Sequence, residues 1–134
     1  MTAADDNVKT VQAIYQAFGT GDLATILDGL SDDVDWASDT SSNAPWYGVR
    51  HGKQEVAAFF EAFGSTMEVQ EFTPHTFGSN DTDVFALVKC RASSRETGRS
   101  IDMTLHHYFR FRDGKIAYYR GTEDSAQTEA ALRP

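Results

Sequence analysis

The chain has 134 residues, 40% hydrophobic and 24% charged, the composition of one globular domain large enough to hold a core. A net charge of −8 and a pI near 4.8 argue against nucleic acid or an anionic membrane as partner, because phosphates need Lys and Arg to neutralise them. Cys90 is the only cysteine, which rules out an internal disulfide and suits a reducing compartment. The first ten residues show no signal peptide, so a cytoplasmic protein is expected.

Taken in order, residues 1–6 should be frayed. Asp6 or Asn7 can cap a helix over 8–18 whose stripe is Val8, Val11, Ile14, Tyr15 and Phe18. Gly19-Thr20-Gly21 ends it, and Asp22 caps a second short helix over 23–30 with Leu23, Ile26, Leu27 and Leu30 facing inwards. Residues 34–37 form a short strand. Residues 38–52 are rich in turn formers and carry Trp46, Tyr47 and His51; irregular segments of this length are usually lids or binding loops. A third helix over 53–63 presents Val56, Phe59, Phe60 and Phe63 on one face and stops at Gly64.

Three strands follow, over 67–77, 83–93 and 100–112, with Asn80-Asp81 and Thr97-Gly98 in the connecting turns. Val84 to Val88 is apolar on both faces, so that strand should be central. The tail, 125–134, has no strong pattern. Helices followed by a run of antiparallel strands give an α+β fold: a curved antiparallel sheet wrapped by three helices, a cone open at one end, in a single domain with its core over about 8–126.

The most informative stretch is 100–124. Ile101, Met103, Leu105, His107, Phe109 and Phe111 alternate with polar neighbours, the period of a half-buried strand. Asp113-Gly114 supplies a two-residue hairpin turn. That turn pairs Phe111 with Ile116, Phe109 with Tyr118, His107 with Arg120, Leu105 with Thr122 and Met103 with Asp124. A three-residue loop would instead put Tyr119 or Gly121 opposite His107. The inner face begins apolar and ends in a titratable cluster, which is how a ligand cavity is lined.

Three pieces, FGTGDLATILDGLSDDVDW at 18–36, GVRHGKQEVAAFFEAF at 48–63 and HYFRFRDGKIAYYR at 107–120, resemble in order and spacing the SnoaL-like, ketosteroid-isomerase-like branch of the nuclear transport factor two-like superfamily. The resemblance implies a cystatin-like roll with a conical pocket and a homodimer formed through the sheet. It places Ser38, beside Asp39, at the general-base Asp of the steroid isomerases, His107 at their second Asp, and Tyr15 at or next to their helix-one Tyr. The acid/base Asp of the family's epoxide hydrolases and polyketide cyclases falls on Gly121. Asp124 matches a family Asp that follows the final strand.

His107 is the first candidate for catalysis, since an unperturbed imidazole titrates near pH 6.5. Arg120 opposite it would stabilise an oxyanion and Asp124 would orient or assist. The plainer alternatives are a buried histidine satisfied by one hydrogen bond and an exposed Arg–Asp pair worth about 0–1 kcal/mol. Tyr15, Trp36, Trp46, Tyr118, Phe109 and Phe60 are candidate ligand contacts, although aromatics on a helix stripe are more often core. No metal is expected: no two histidines show His-x-x-x-His spacing, and His106 and His107 face opposite ways. No phosphate loop, dinucleotide fingerprint or Gly-x-Ser-x-Gly is present, so no cofactor is expected. Cys90 shares a face with Val84, Ala86 and Val88 and reads as packing. His106, Tyr108, Arg110 and Tyr119 fall on the other face, better placed for a dimer than for catalysis. The expected function is cofactor-free acid/base chemistry on a small apolar or aromatic, cyclic molecule, of isomerase, cyclase or epoxide/lactone hydrolase type. The alternative is a non-catalytic ligand-binding or protein-interaction module.

Overall fold

Helix α1 (Ala3–Thr20) begins at a capping box: the Thr2 hydroxyl accepts from the Asp5 N–H at 3.1 Å, and the Asp5 carboxylate accepts from the Thr2 N–H at 3.3 Å. The helix therefore starts ahead of Asp6 and Asn7, and residues 3–6 are not frayed. Asn7, expected as a cap, is buried in the helix and donates to the Asp81 carbonyl at 3.1 Å. This computed structural model describes residues 2–38 and 44–134. Gly21, at φ 74°, closes α1, and Asp22 caps α2 (Leu23–Asp28).

Leu30 does not end α2 but opens β1 (Leu30–Ser38), longer than the four residues expected. A two-residue strand, β2 (Arg50–His51), precedes α3 (Gly52–Thr66). Gly64 lies inside α3 rather than stopping it. The helix ends where Met67 turns extended to begin β3 (Met67–Ser79), and β4 (Asp83–Ser94), β5 (Ser100–Arg112) and β6 (Lys115–Thr122) complete the expected meander.

The six strands run in the order β2-β1-β6-β5-β4-β3. The sheet is mixed, not wholly antiparallel, because β1 pairs in parallel with β6. Its start is pinned beside the hairpin turn: the Ile116 N–H donates to the Gly29 carbonyl at 2.9 Å and Lys115 Nζ to the Asp28 carbonyl at 2.6 Å. A strand that starts there must run the same way as β6. β4 pairs on both sides, as expected of an interior strand, yet Phe85 on its outer face is 52% exposed.

The tail holds a helix that the sequence reading did not find, α4 (Ser125–Leu132). Only Thr128 and Ala131 of it are buried, so no apolar stripe announces it. It is tied to the β4–β5 turn by the Thr97 hydroxyl, which donates to the Ala131 carbonyl at 2.6 Å, and by Arg99, which donates to the Ala130 carbonyl at 3.3 Å. No helix among the described residues is long and apolar enough to cross a membrane.

The β5–β6 turn has the expected two residues, Asp113 at φ 52° and Gly114 at φ 76°, and the first pairs are Arg112 with Lys115 and Phe111 with Ile116. The next is Arg110 with Tyr118, which leaves Ala117 as a β-bulge. From there the register expected for the two-residue turn is wrong by one. Tyr119 lies opposite Phe109 and Gly121 opposite His107, while Tyr118 and Arg120 pair with Arg110 and Tyr108. The shift foreseen for a longer loop comes instead from a bulge beyond a short one.

Candidate functional site

The helices and the inner sheet face enclose a cavity with a free interior volume of about 80 Å3, room for roughly five to eight waters or a small ring. Its walls are aromatic and aliphatic, with Phe18, Phe60, Phe63 and Phe72 on one side and Leu105 and Phe109 on another. The sequence accounts for this: the inner stripes of α1 and α3 supply phenylalanines, and period-two alternation on β5 supplies the facing wall.

His107 sits in that wall. The Tyr15 hydroxyl lies 2.7 Å from His107 Nδ1, and the two rings are stacked with centroids 5.8 Å apart. Burial, and secondarily the neighbouring His106, pulls the imidazole down to about 3, so it is neutral at physiological pH. Burial, with a smaller effect from Tyr119, pushes the Tyr15 phenol far above its usual range and keeps its proton in place. Tyr15 is thus the donor and Nδ1 the acceptor, a tautomer assigned from this network. The imidazole proton is left on Nε2. His107 is a hydrogen-bond donor here rather than an imidazolium acid.

Tyr119, expected on the outer face, is buried in this wall because of the bulge. Its ring stacks on Trp36 at 3.9 Å and meets His107 edge-on at 5.4 Å. Its hydroxyl leans over Gly121. A Cβ at 121 would collide with that oxygen and come within 3.2 Å of His107 Cδ2, so the close approach requires glycine. Burial, then the charge of Glu123, raises the Tyr119 phenol well above its usual range. The Trp36 indole N–H is buried with no partner among the described residues, an orphan donor in the cavity lining. Ser38, Thr122 and Glu123 add to the polar part of the lining. Cys90 lines it too, and burial pushes its thiol up to about 12, which fits packing rather than reactivity.

Six of the residues singled out from sequence gather around this cavity: His107, Tyr15, Trp36, Trp46, Phe109 and Phe60. Three do not. Arg120 lies on the outer face, where it pairs with Asp35 at 2.8 Å and covers the Tyr118 ring at 4.1 Å. Tyr118 is on the same outer face, 4.9 Å from the Arg110 guanidinium. Asp124 caps α4, accepting from the Gln127 N–H at 3.1 Å. Asp39 and the rest of 39–43 lie outside the described residues. The residues missed were Tyr119, Glu123 and Phe72. The one-residue register alternative was the only sequence signal that pointed to the first.

The SnoaL-like domain model matches residues 11–119. The chain belongs to the SnoaL-like family. No curated protein sequence matches it. Among solved structures, this SnoaL-like chain is similar to an NTF2-like protein of unknown function from Burkholderia pseudomallei, 27% identical, with a TM-score of 0.88 over 96% of this chain and 98% of that one. It shares its fold with TerC co-crystallised with polyporic acid (20% identity, TM-score 0.82, 94% and 97% covered). The fold also matches an LEH-like epoxide hydrolase from M. tuberculosis (17% identity, TM-score 0.75, 96% and 90% covered).

Proposed function

We propose that this SnoaL-like chain is an enzyme that works without a cofactor on a small, largely apolar, cyclic molecule bearing a carbonyl or similar acceptor oxygen. The observation that carries the reading is the Tyr15–His107 pair. Burial keeps the imidazole neutral, and the Tyr15 hydroxyl on Nδ1 leaves the ring proton on Nε2. The apolar cavity is also lined by Tyr119 and by Trp36, whose indole N–H has no partner among the described residues. Preorganised neutral donors in a site that excludes water stabilise developing negative charge on oxygen strongly, because they need not reorganise during the reaction. That is the role sequence reasoning gave to Arg120, now supplied by uncharged groups. Isomerisation, cyclisation and epoxide or lactone opening all build charge on such an oxygen. The fold shared with TerC, co-crystallised with polyporic acid, and with the LEH-like epoxide hydrolase from M. tuberculosis supports the ligand class and the reaction class.

A second reading, a binding module without turnover, is favoured by Ser38 and Gly121, where the resemblance leads one to expect carboxylates. One experiment separates the two. Trp36 and Trp46 line the cavity, so fluorescence is followed while steroids, aromatic polyketides, terpene epoxides and lactones are titrated in, and each bound compound is recovered for mass analysis. Saturable quenching with an altered compound supports the enzyme. Quenching with every compound recovered intact supports the module. Replacing His107 with Phe should abolish turnover in a folded protein, and unchanged turnover would sink the donor assignment.

The expected partner, a second copy packed through the sheet, is supported by the exposed Phe85 beside Tyr108 on the outer face, ring centroids 5.0 Å apart. Sedimentation of the wild type and of Phe85→Glu tests it, and a wild-type monomer at high concentration would dismiss it.

A further inference from the structure

We infer that Glu123, held by Thr128 at the end of β6 and lining the cavity with His107 and Tyr119, is the carboxylate that moves a proton to and from a carbon next to a carbonyl group. This rests on the ligand class proposed above and adds the base that it lacks. Five features of the site support it.

First, Glu123 is half-buried and lines the cavity, whereas Asp124 beside it faces solvent and caps α4. Second, the charge of Glu123 raises the pKa values of both Tyr119 on β6 and Cys90 on β4, two lining groups from different strands. Its carboxylate is therefore within electrostatic reach of both. Third, one oxygen is fixed. The Thr128 hydroxyl donates to Oε2 at 2.5 Å, and Thr128 is wholly buried on a helix tied to the β4–β5 turn. Fourth, among the described residues no Lys or Arg pairs with Glu123, and Oε1 accepts no hydrogen bond. An anion at the edge of an apolar cavity, oriented through one oxygen and free at the other, is built as a base. Fifth, the neutral donors of His107, Tyr119 and Trp36 match what such a base would generate.

The step balances without any further reagent. Oε1 takes the proton from the α-carbon, the C–H electron pair becomes the C=C bond of an enolate, and the carbonyl π pair moves onto oxygen, where the donors hold it. Returning the proton to the same carbon regenerates the ketone. Returning it to the far end of a conjugated system gives the isomer. In both cases Glu123 ends as the carboxylate.

The test uses cyclohexanone and 1-indanone in D2O with the full chain. Binding is read by tryptophan quenching and proton abstraction by loss of the α-proton signals in 1H NMR. The wild type should quench and should exchange the α-protons faster than buffer. Glu123→Gln, which keeps the shape and removes the charge, should still quench while exchange falls at least about 100-fold, the usual contribution of a positioned general base. Should the Gln variant fold poorly, Glu123→Ala with added formate reads the same point, since formate in the vacated space should restore exchange. Wild-type quenching without exchange, or exchange that survives Glu123→Gln, would overturn the role of Glu123 and leave the binding reading standing. Absence of quenching by both ketones would overturn the ligand class and this assignment together.

Discussion

The two faces of the β5–β6 hairpin are built from neighbouring residues and have opposite chemistry. On the outer face polar groups find partners. The Tyr108 hydroxyl donates to Asp83 at 2.6 Å, Arg110 donates to that hydroxyl at 3.1 Å, and Arg120 pairs with Asp35. The bond from Tyr108 holds the Asp83 carboxyl below its usual range, so charge is welcome there. On the inner face Tyr15 pairs with His107, and both groups are driven towards neutrality by burial. The Trp36 N–H has no partner among the described residues. A satisfied polar face stabilises, whereas an unsatisfied one in a cavity is poised for a ligand. Strand parity alone separates the two.

Breaking that parity should have the largest effect. Exchanging residues 119 and 120 (Tyr119→Arg with Arg120→Tyr) would put a guanidinium into the cavity wall beside His107 and a phenol on the outer face. Deleting Ala117, by contrast, would only remove the bulge and keep Tyr119 opposite Phe109 and Gly121 opposite His107. Burying an unpaired guanidinium costs several kcal/mol, and moving Tyr119 to solvent forfeits about 3–5 kcal/mol more. The sum exceeds about 5 kcal/mol, comparable with the whole stability of a domain. The Ala117 deletion should keep a cooperative thermal transition by circular dichroism, and the exchanged variant should show none. A melt of the exchanged variant within a few degrees of wild type would mean that parity does not hold these faces apart.

Ala117 also marks what the sequence could show. The hairpin turn was legible because Asp113-Gly114 satisfies two positive φ angles in a way few dipeptides can. The meander was legible from period-two alternation, and the cavity's aromatic walls from helical stripes. Ala117 carried no such mark, since a bulge of this kind needs no special residue and shows only in the pairing beyond it. Its effect then spread along the strand: Arg120 and Tyr118 left the site while Tyr119 and Gly121 entered it. Glu123 and α4 were hidden for another reason. The helix is held by a cap and by hydrogen bonds to the β4–β5 turn, and neither appears in hydrophobic periodicity. The parallel β1–β6 pair was equally silent, because it depends on where Gly29 meets Ile116.

A medium-sized effect should sharpen the comparison through acid. His107 binds its proton near pH 3 folded and near 6.5 unfolded, so between those values the unfolded chain holds more protons. Stability attributable to this residue is therefore intact above about pH 6.5 and falls as the pH drops towards 3, by about 1.4 kcal/mol for each unit. Urea denaturation of wild type and His107→Phe at pH 7, 6, 5 and 4 should show the variant with the shallower slope by about that amount. The comparison uses slopes, so a constant loss from leaving the Tyr15 hydroxyl unpaired cancels. Parallel slopes would mean that His107 is protonated in the folded state and belongs with the charged outer face.

The smallest effect concerns Asp124, which the resemblance puts at a family position and which the structure puts at the start of α4. Replacing a helix cap with Ala costs about 0.5–2 kcal/mol, whereas Asn caps about as well as Asp. Asp124→Ala should therefore lower the denaturation midpoint by that modest amount and Asp124→Asn should barely move it. The two variants part company with a catalytic role at this point. Loss of charge is common to both, so a carboxylate needed for proton transfer would fail equally in Asn and Ala. A cap fails only in Ala. α-Proton exchange by Asp124→Asn at the wild-type rate, beside its collapse in Glu123→Gln, would place the working carboxylate one residue earlier than the sequence suggested.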